Sequence, residues 1–304
     1  MSLEVVATGL QFPEGPIAMA DGSVLVVEIR RQTLSRVSPD GQITVVAHLG
    51  GGPNGAAIGP DGRVYVCNNG GLGWVDLDGG LMVPHGAASD YAGGSIQAVD
   101  LTTGAVETLY VECDGRPLSA PNDIVFDSHG GFWFTDLGKE NETTRDYGAL
   151  YYAKADGSFI SRQRDRISWP NGCGLSPDGK TLYVAETWTC RLWAYDLSAP
   201  GVLEPAAAAY LPGRHVLTLP DYLPFDSLAV QANGDICVAT GINGSVTVVS
   251  PAGEANHVPV PDFVTTNICF GGADMKDAWI TGSSSGTLFR TRWAEPGLKL
   301  AFNA

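Results

Sequence analysis

The chain has 304 residues, 44% hydrophobic and 17% charged, a composition that buries a sizeable core and excludes intrinsic disorder. Its formal net charge of -15 excludes nucleic acid as the expected partner, whose phosphates would be repelled, and disfavours an anionic membrane surface. The 39 glycines are scattered among short apolar runs, which marks many tight turns rather than a linker.

In chain order the first predicted element is the strand LEVVATGL, which begins at Leu3. Six similar segments follow: PEGPIAMADGSVLVVE, PNGAAIGPDGRVYVCN, PNDIVFDSHGGFWFTD, PNGCGLSPDGKTLYVAE, FDSLAVQANGDICVAT and TNICFGGADMKDAWIT. The second residue of each is polar: Glu14, Asn54, Asn122, Asn171, Asp226 and Asn267. Eight positions later stand Gly22, Gly62, Gly130, Gly179 and Gly234, but Met275 in the last segment, whose turn is therefore expected to differ. Each segment reads as strand, turn, strand. Asp-Gly and Asn-Gly pairs supply the hairpins, and β-branched and aromatic residues fill the second strands. Outer strands follow in TLSRVSPDG, GALYYAKADG, RLWAYDL and SVTVVSPAG.

A repeat of this kind, with unit starts roughly 40 to 70 residues apart, predicts an all-β six-bladed β-propeller of four-stranded blades. It is read as a single domain over residues 1–304. The strand at Leu3 is expected to pair into the last blade, because an open ring would leave bare strand edges. Long loops are expected at GGLMVPHGAASDYAGGSIQ, GKENETTRDYG and SAPGVLEPAAAAYLPGRHV, where a compact fold often shapes a binding site. No leader pattern and no bilayer-length apolar run is visible. The six cysteines lack CxxC spacing, so reduced thiols and a cytoplasmic location are expected.

In a propeller the first strand of each blade lies nearest the axis. The six polar residues then form a ring at one level. Two carboxylates converging there would repel each other and lose hydration unless a cation or protons compensated. Carboxylate and carboxamide oxygens suit one divalent metal, Ca²⁺ first, with Mg²⁺, Mn²⁺, Zn²⁺ or Fe²⁺ as alternatives. A zinc site of the usual kind would want His or Cys, which the ring lacks. A second ring, Glu28, Asn68, Asp136, Glu186, Thr240 and Thr281, ends the second strands and is expected to orient the first by hydrogen bonds. Trp74, Tyr91, Tyr147 and Trp188 lie near loops, where packing competes with a role in the pocket. His85 and His215 lie in long loops within reach of the mouth. The ring holds no His, and no G-x-S-x-G elbow occurs.

FPEGP, PNDIVFDSHGGFWFTD, WPNGCGLSPDGKTLYVAE and FDSLAVQANGDICVA resemble the SMP-30/gluconolactonase/LRE family, which includes regucalcin-like proteins, gluconolactonases and the drug-responsive lactonase. The resemblance runs from about Gly9 to Trp293. It implies a metal held by Glu14, Asn122, Asn171 and Asp226. Asn54 is then a candidate substrate or water contact, and Asp136 and Glu186 of the second ring are expected as substrate or supporting contacts. It implies a hydrolase: the metal polarises the carbonyl of a small lactone and Asp226 acts as general base, releasing the hydroxy acid. A diisopropyl fluorophosphatase-type phosphotriesterase and a non-catalytic calcium-binding propeller are the alternatives. Sugar-lactone members often carry Arg two residues before the third-blade Asn, where this chain has Ala120, although SAPND is nearer to the bacterial gluconolactonase style. The expected partner is a small-molecule lactone, with no nucleic acid or membrane, and the protein is expected to be a monomer or a weak homo-oligomer.

Overall fold

The repeated hairpin organises the molecule. In the first, Gly22 N donates to Met19 O at 3.0 Å, and the glycine has φ +83°. The same bond recurs at Gly62, Gly130, Gly179 and Gly234. The sixth turn was expected to differ and does not: Met275 N donates to Gly272 O at 3.1 Å, and Met275 itself takes φ +56°. Packing of Met275 against the last blade's core holds a conformation that glycine would take freely.

The computed structural model describes residues 2–141, 143–208 and 210–302. The hairpins grow into six antiparallel sheets, the blades of a six-bladed β-propeller. Their innermost strands are Pro13–Ala18, Pro53–Ile58, Pro121–Phe126, Pro170–Leu175, Phe225–Val230 and Thr265–Gly271. Each touches the next, and the last touches the first, so the six enclose the axis. Glu4–Ala7 pairs with Thr287–Arg292 and completes the sixth blade from the N-terminus, as expected. The fourth blade adds a short strand, Val202–Leu203. Among the described residues the one helical element is the 3₁₀ turn Asp78–Gly80, and no helix is long and apolar enough to cross a membrane.

The core lies between blades, where buried aromatic and aliphatic side chains of one sheet pack on the next, as Tyr65, Phe126, Phe132 and Phe134 do. A largely apolar cavity of about 100 Å³ fills the axis below the polar ring, lined by Ile17, Ile124, Leu228 and Phe270. The C-terminal segment crosses its far end. Leu298 N donates to Val230 O at 2.8 Å, and Phe302 meets Phe126 edge-on at 5.7 Å. Leu298 and Phe302 also line the cavity, so the polar end is the open mouth.

Candidate metal centre at the channel mouth

Every innermost strand is bulged where its polar residue sits. The register with the second strand shifts between Glu14 and Ile17, Pro53 and Ala56, Pro121 and Ile124, Pro170 and Cys173, Phe225 and Leu228, and Thr265 and Asn267. A bulge breaks the alternation of faces and re-aims a side chain, here toward the axis. The crowding this produces explains two of the glycines that follow ring residues. A Cβ on Gly172 would lie 2.7 Å from Asp226 O, and one on Gly55 would collide with Asn122 O.

Five of the six ring residues are buried. Asp226 alone keeps partial access to solvent. Glu14 Oε2 accepts hydrogen bonds from Gly15 N at 2.6 Å and Asn267 Nδ2 at 2.7 Å. Burial, and next the charge of Asp226, hold its carboxyl well above the usual range. Asp226 Oδ1 accepts from Ser227 N at 3.0 Å. Burial pushes this carboxyl up to about 7, opposed by hydrogen bonding from Asn171 and Ser227 N. Asn171 Nδ2 donates to Thr187 Oγ1 at 3.1 Å, and its Oδ1 accepts from Ser227 Oγ at 3.4 Å. Asn122 Oδ1 is buried with no hydrogen-bond partner, a costly state for an amide oxygen. Asn54 is buried beside Glu14, its carbonyl oxygen against Gly15.

The donor set suits a hard divalent cation: two carboxylates whose charged forms burial disfavours and a neutral oxygen without a partner. Among the described residues no group of three or more His, Cys, Asp or Glu is placed to hold a metal. This set reaches four oxygens only by counting carboxamides.

A deeper acid went unnoticed in the sequence. Asp123 follows Asn122, where the other blades have Gly15, Gly55, Gly172, Ser227 and Ile268. It is buried, and its Oδ2 crosses to the fourth blade to accept from Cys173 N at 3.0 Å. Burial pushes it up to about 7. Its signal was available: it is the one acid at a position that the other blades fill with glycine, serine or isoleucine.

The sequence model of the SMP-30/gluconolactonase/LRE-like region matches residues 12–284. The chain belongs to this family. It is 30% identical over 255 residues to the lactonase drp35 of Staphylococcus saprophyticus, covering 83% of this chain and 70% of the relative. It is 24% identical over 301 residues to a gluconolactonase of Zymomonas mobilis, covering 88% and 76%. Among solved structures, a gluconolactonase of Xanthomonas campestris superposes with a TM-score of 0.74 at 23% identity, covering 97% of this chain and 89% of its own. A calcium-binding protein of Agrobacterium tumefaciens, regucalcin, superposes with a TM-score of 0.72 at 22% identity, covering 98% of each chain.

In this SMP-30/gluconolactonase/LRE-like chain the second ring acts on backbone. Glu28 Oε2 accepts from Gln11 N at 2.8 Å, Asn68 Oδ1 from Gly52 N at 2.8 Å, and Glu186 Oε1 from Ser168 N at 3.0 Å. Asp136 takes Ser119 N at 2.8 Å and Ala120 N at 2.7 Å. Each clamps the segment entering its own innermost strand, two or three residues before the ring position, and so sets where the ring side chain starts. Thr240 and Thr281 take no backbone N–H: they bond the hydroxyls of Thr247 and Thr266 and donate to the carbonyls of Val238 and Asn267.

Two insertions wall part of the mouth. The hairpin of Leu72–Asp76 and Met82–Ala87 leans from the second blade across the first. Trp74 packs on Phe12 at 5.1 Å, Arg30 pairs with Asp76, and Met82 N reaches Ser284 O in the sixth blade at 2.9 Å. From the third blade, Lys139 Nζ donates to Asn69 O and Gly71 O at 2.9 and 2.8 Å under the ring of Tyr91. Burial lowers this ammonium to about 8. Trp188 and Tyr147 are exposed. His215 is an outer-strand residue of the fourth blade, bonded to Thr218 and packed on Trp193, and His85 is an exposed residue of the hairpin.

Proposed function

We propose that the protein is a lactone-hydrolysing enzyme, a carboxylic-ester hydrolase of the lactonase type, that works with one divalent cation, Ca²⁺ first among candidates. Glu14, Asn122, Asn171 and Asp226 would hold the cation, which when bound supplies charge stabilisation for an oxyanion developing on the lactone carbonyl. Asp226 removes a proton from the attacking water. Its partial access to solvent lets it meet a water, and a bound cation would keep its carboxylate ionised to accept the proton. Glu14, pinned by Gly15 N and Asn267 Nδ2, and Asn171, pinned by Thr187, keep their orientation through the reaction. Asn122 and Asn171 are neutral and leave the site's net charge less negative than four carboxylates would. The closed far end of the channel confines the reaction to the mouth.

The observation that carries the reading is the pairing of Glu14 and Asp226, both raised by burial, beside an unpartnered Asn122 Oδ1. The family and its relatives named lactonase and gluconolactonase point the same way. Lactone hydrolysis releases acid. A panel of lactones read with a pH indicator is expected to show turnover that chelation removes and added Ca²⁺ restores. Absence of turnover on every lactone with every divalent cation would overturn the activity, and full turnover after chelation would overturn the cation.

A further inference from the structure

The mouth is not walled evenly, and its open side carries an arrangement that the hydrolytic centre does not use. Trp169, two residues before Asn171, has φ +57°. Phe12 stands at the same place before Glu14 with φ +56°. A bulky side chain is strained in that conformation and needs its surroundings to hold it. Phe12 is held under Trp74. Trp169 is only half-buried, and it faces other aromatic rings. Its ring meets Trp188 at 5.4 Å and 69°, and Trp188 lies parallel to Tyr222, with centroids 6.3 Å apart and 5° between planes. Trp188 is 41% exposed and Tyr222 55%.

A cation stands over this surface. The Arg145 guanidinium is 4.3 Å from the Trp169 ring centroid and 5.8 Å from that of Trp188. Among the described residues Arg145 forms no ion pair, in a chain whose net charge is -15. The surface adjoins the centre. Trp188 follows Thr187, which holds Asn171, and Tyr222 lies four residues before Asp226.

We propose that Trp169, Trp188, Tyr222 and Arg145 form a recognition subsite for the part of the lactone remote from its carbonyl, and that it takes an aromatic ring bearing a carboxylate. The proposal rests on the lactonase reading above. Ring faces of Trp188 and Tyr222 stack on a planar group. A guanidinium laid on an indole keeps its in-plane N–H groups free for a carboxylate. The four side chains offer no carboxylate or carboxamide to pair with sugar hydroxyls.

The test compares four γ-lactones that differ only in the substituent: none, phenyl, carboxymethyl and carboxyphenyl. The wild type favours the carboxyphenyl lactone in kcat/KM. Tyr222→Ala or Trp188→Ala lowers the preference for phenyl-bearing lactones on the order of tenfold. Arg145→Gln lowers the preference for carboxylated ones by about tenfold, and Arg145→Lys restores only part, having no planar face. A merely structural role would lower all four substrates together and leave the ratios unchanged, which overturns the proposal while the lactonase reading stands. Effects confined to a sugar lactone added to the panel overturn the aromatic assignment. A binding readout is independent of turnover. Benzoate quenches the tryptophan fluorescence saturably in the wild type and not in Arg145→Gln or Trp188→Phe. Hydrolysis of none of the lactones would refute the lactonase reading, and the benzoate titration would then decide the subsite alone.

Discussion

The two sides of the channel mouth are made of the same kinds of side chain and treat them differently. Where the first, second and sixth blades meet the hairpin, each aromatic and each cation has a partner. Trp74 lies on Phe12, Arg30 pairs with Asp76, and Lys139 bonds two carbonyls beneath Tyr91. On the side of the fourth and fifth blades, Trp188 and Tyr222 face solvent and Arg145 rests on indole rings. A cation over an aromatic ring is a staple when carbonyls or a carboxylate complete its hydrogen bonds. It is a recognition surface when its N–H groups are left to a ligand. The difference lies in the partners, not in the residue types.

Breaking the centre that both sides border has the largest expected effect. Asp226→Asn keeps the shape and removes the proposed base, so kcat is expected to fall by about a thousandfold while the circular dichroism spectrum is unchanged. Retained full activity would refute the assigned role. Next comes the crowding of the ring. Gly55→Ala, beside the walled side, and Gly172→Ala, beside the open side, each push a ring residue's backbone and cost about a hundredfold in kcat/KM. Equal losses would show that the ring answers as one unit whichever side is disturbed.

The centre also sets a pH dependence. Burial raises Asp123 and Asp226 to about 7, against about 3.9 in an unfolded chain. Between about pH 4 and 7 the folded state holds protons that the unfolded state has lost. Stability of the chelated protein therefore falls as pH rises through that window, and Glu14, also raised by burial, adds to the fall. Thermal melts in chelator are expected to give a Tm on the order of 5 °C higher at pH 5.5 than at pH 8. Saturating Ca²⁺, proposed to bind the ionised carboxylates, is expected to reduce or reverse the slope.

The smallest effect separates the two sides directly. Lys139→Met leaves the carbonyls of Asn69 and Gly71 without their donor and costs about 1–3 kcal/mol in urea unfolding. Protease nicking is expected to rise within residues 79–94. Arg145→Met removes an exposed side chain and changes stability by less than about 0.5 kcal/mol. Equal costs for the two would erase the distinction between staple and recognition surface.

The six-blade repeat, the position of each inner hairpin and the six ring residues could be read from sequence because each blade repeats one local rule: a polar residue, an apolar strand, a turn eight positions on. Closure by Glu4–Ala7 could be inferred from the rule against bare edges. The sixth turn was misjudged because packing around Met275 overrides the preference for glycine at positive φ. Asp123 was passed over because its meaning lies across a blade boundary, in Cys173 N.

Sequence alone thus determined the fold and the list of inward-facing acids and amides, since both follow from periodicity along one strand. Tertiary structure decided the bulges that aim those side chains, the backbone clamps of the second ring, and the contrast between the two sides of the mouth. These depend on residues far apart in the chain, such as Arg145 with Trp169 and Trp188, or Met82 with Ser284. Whether a cation or a ring is left available for a ligand is settled only by which neighbours folding brings beside it.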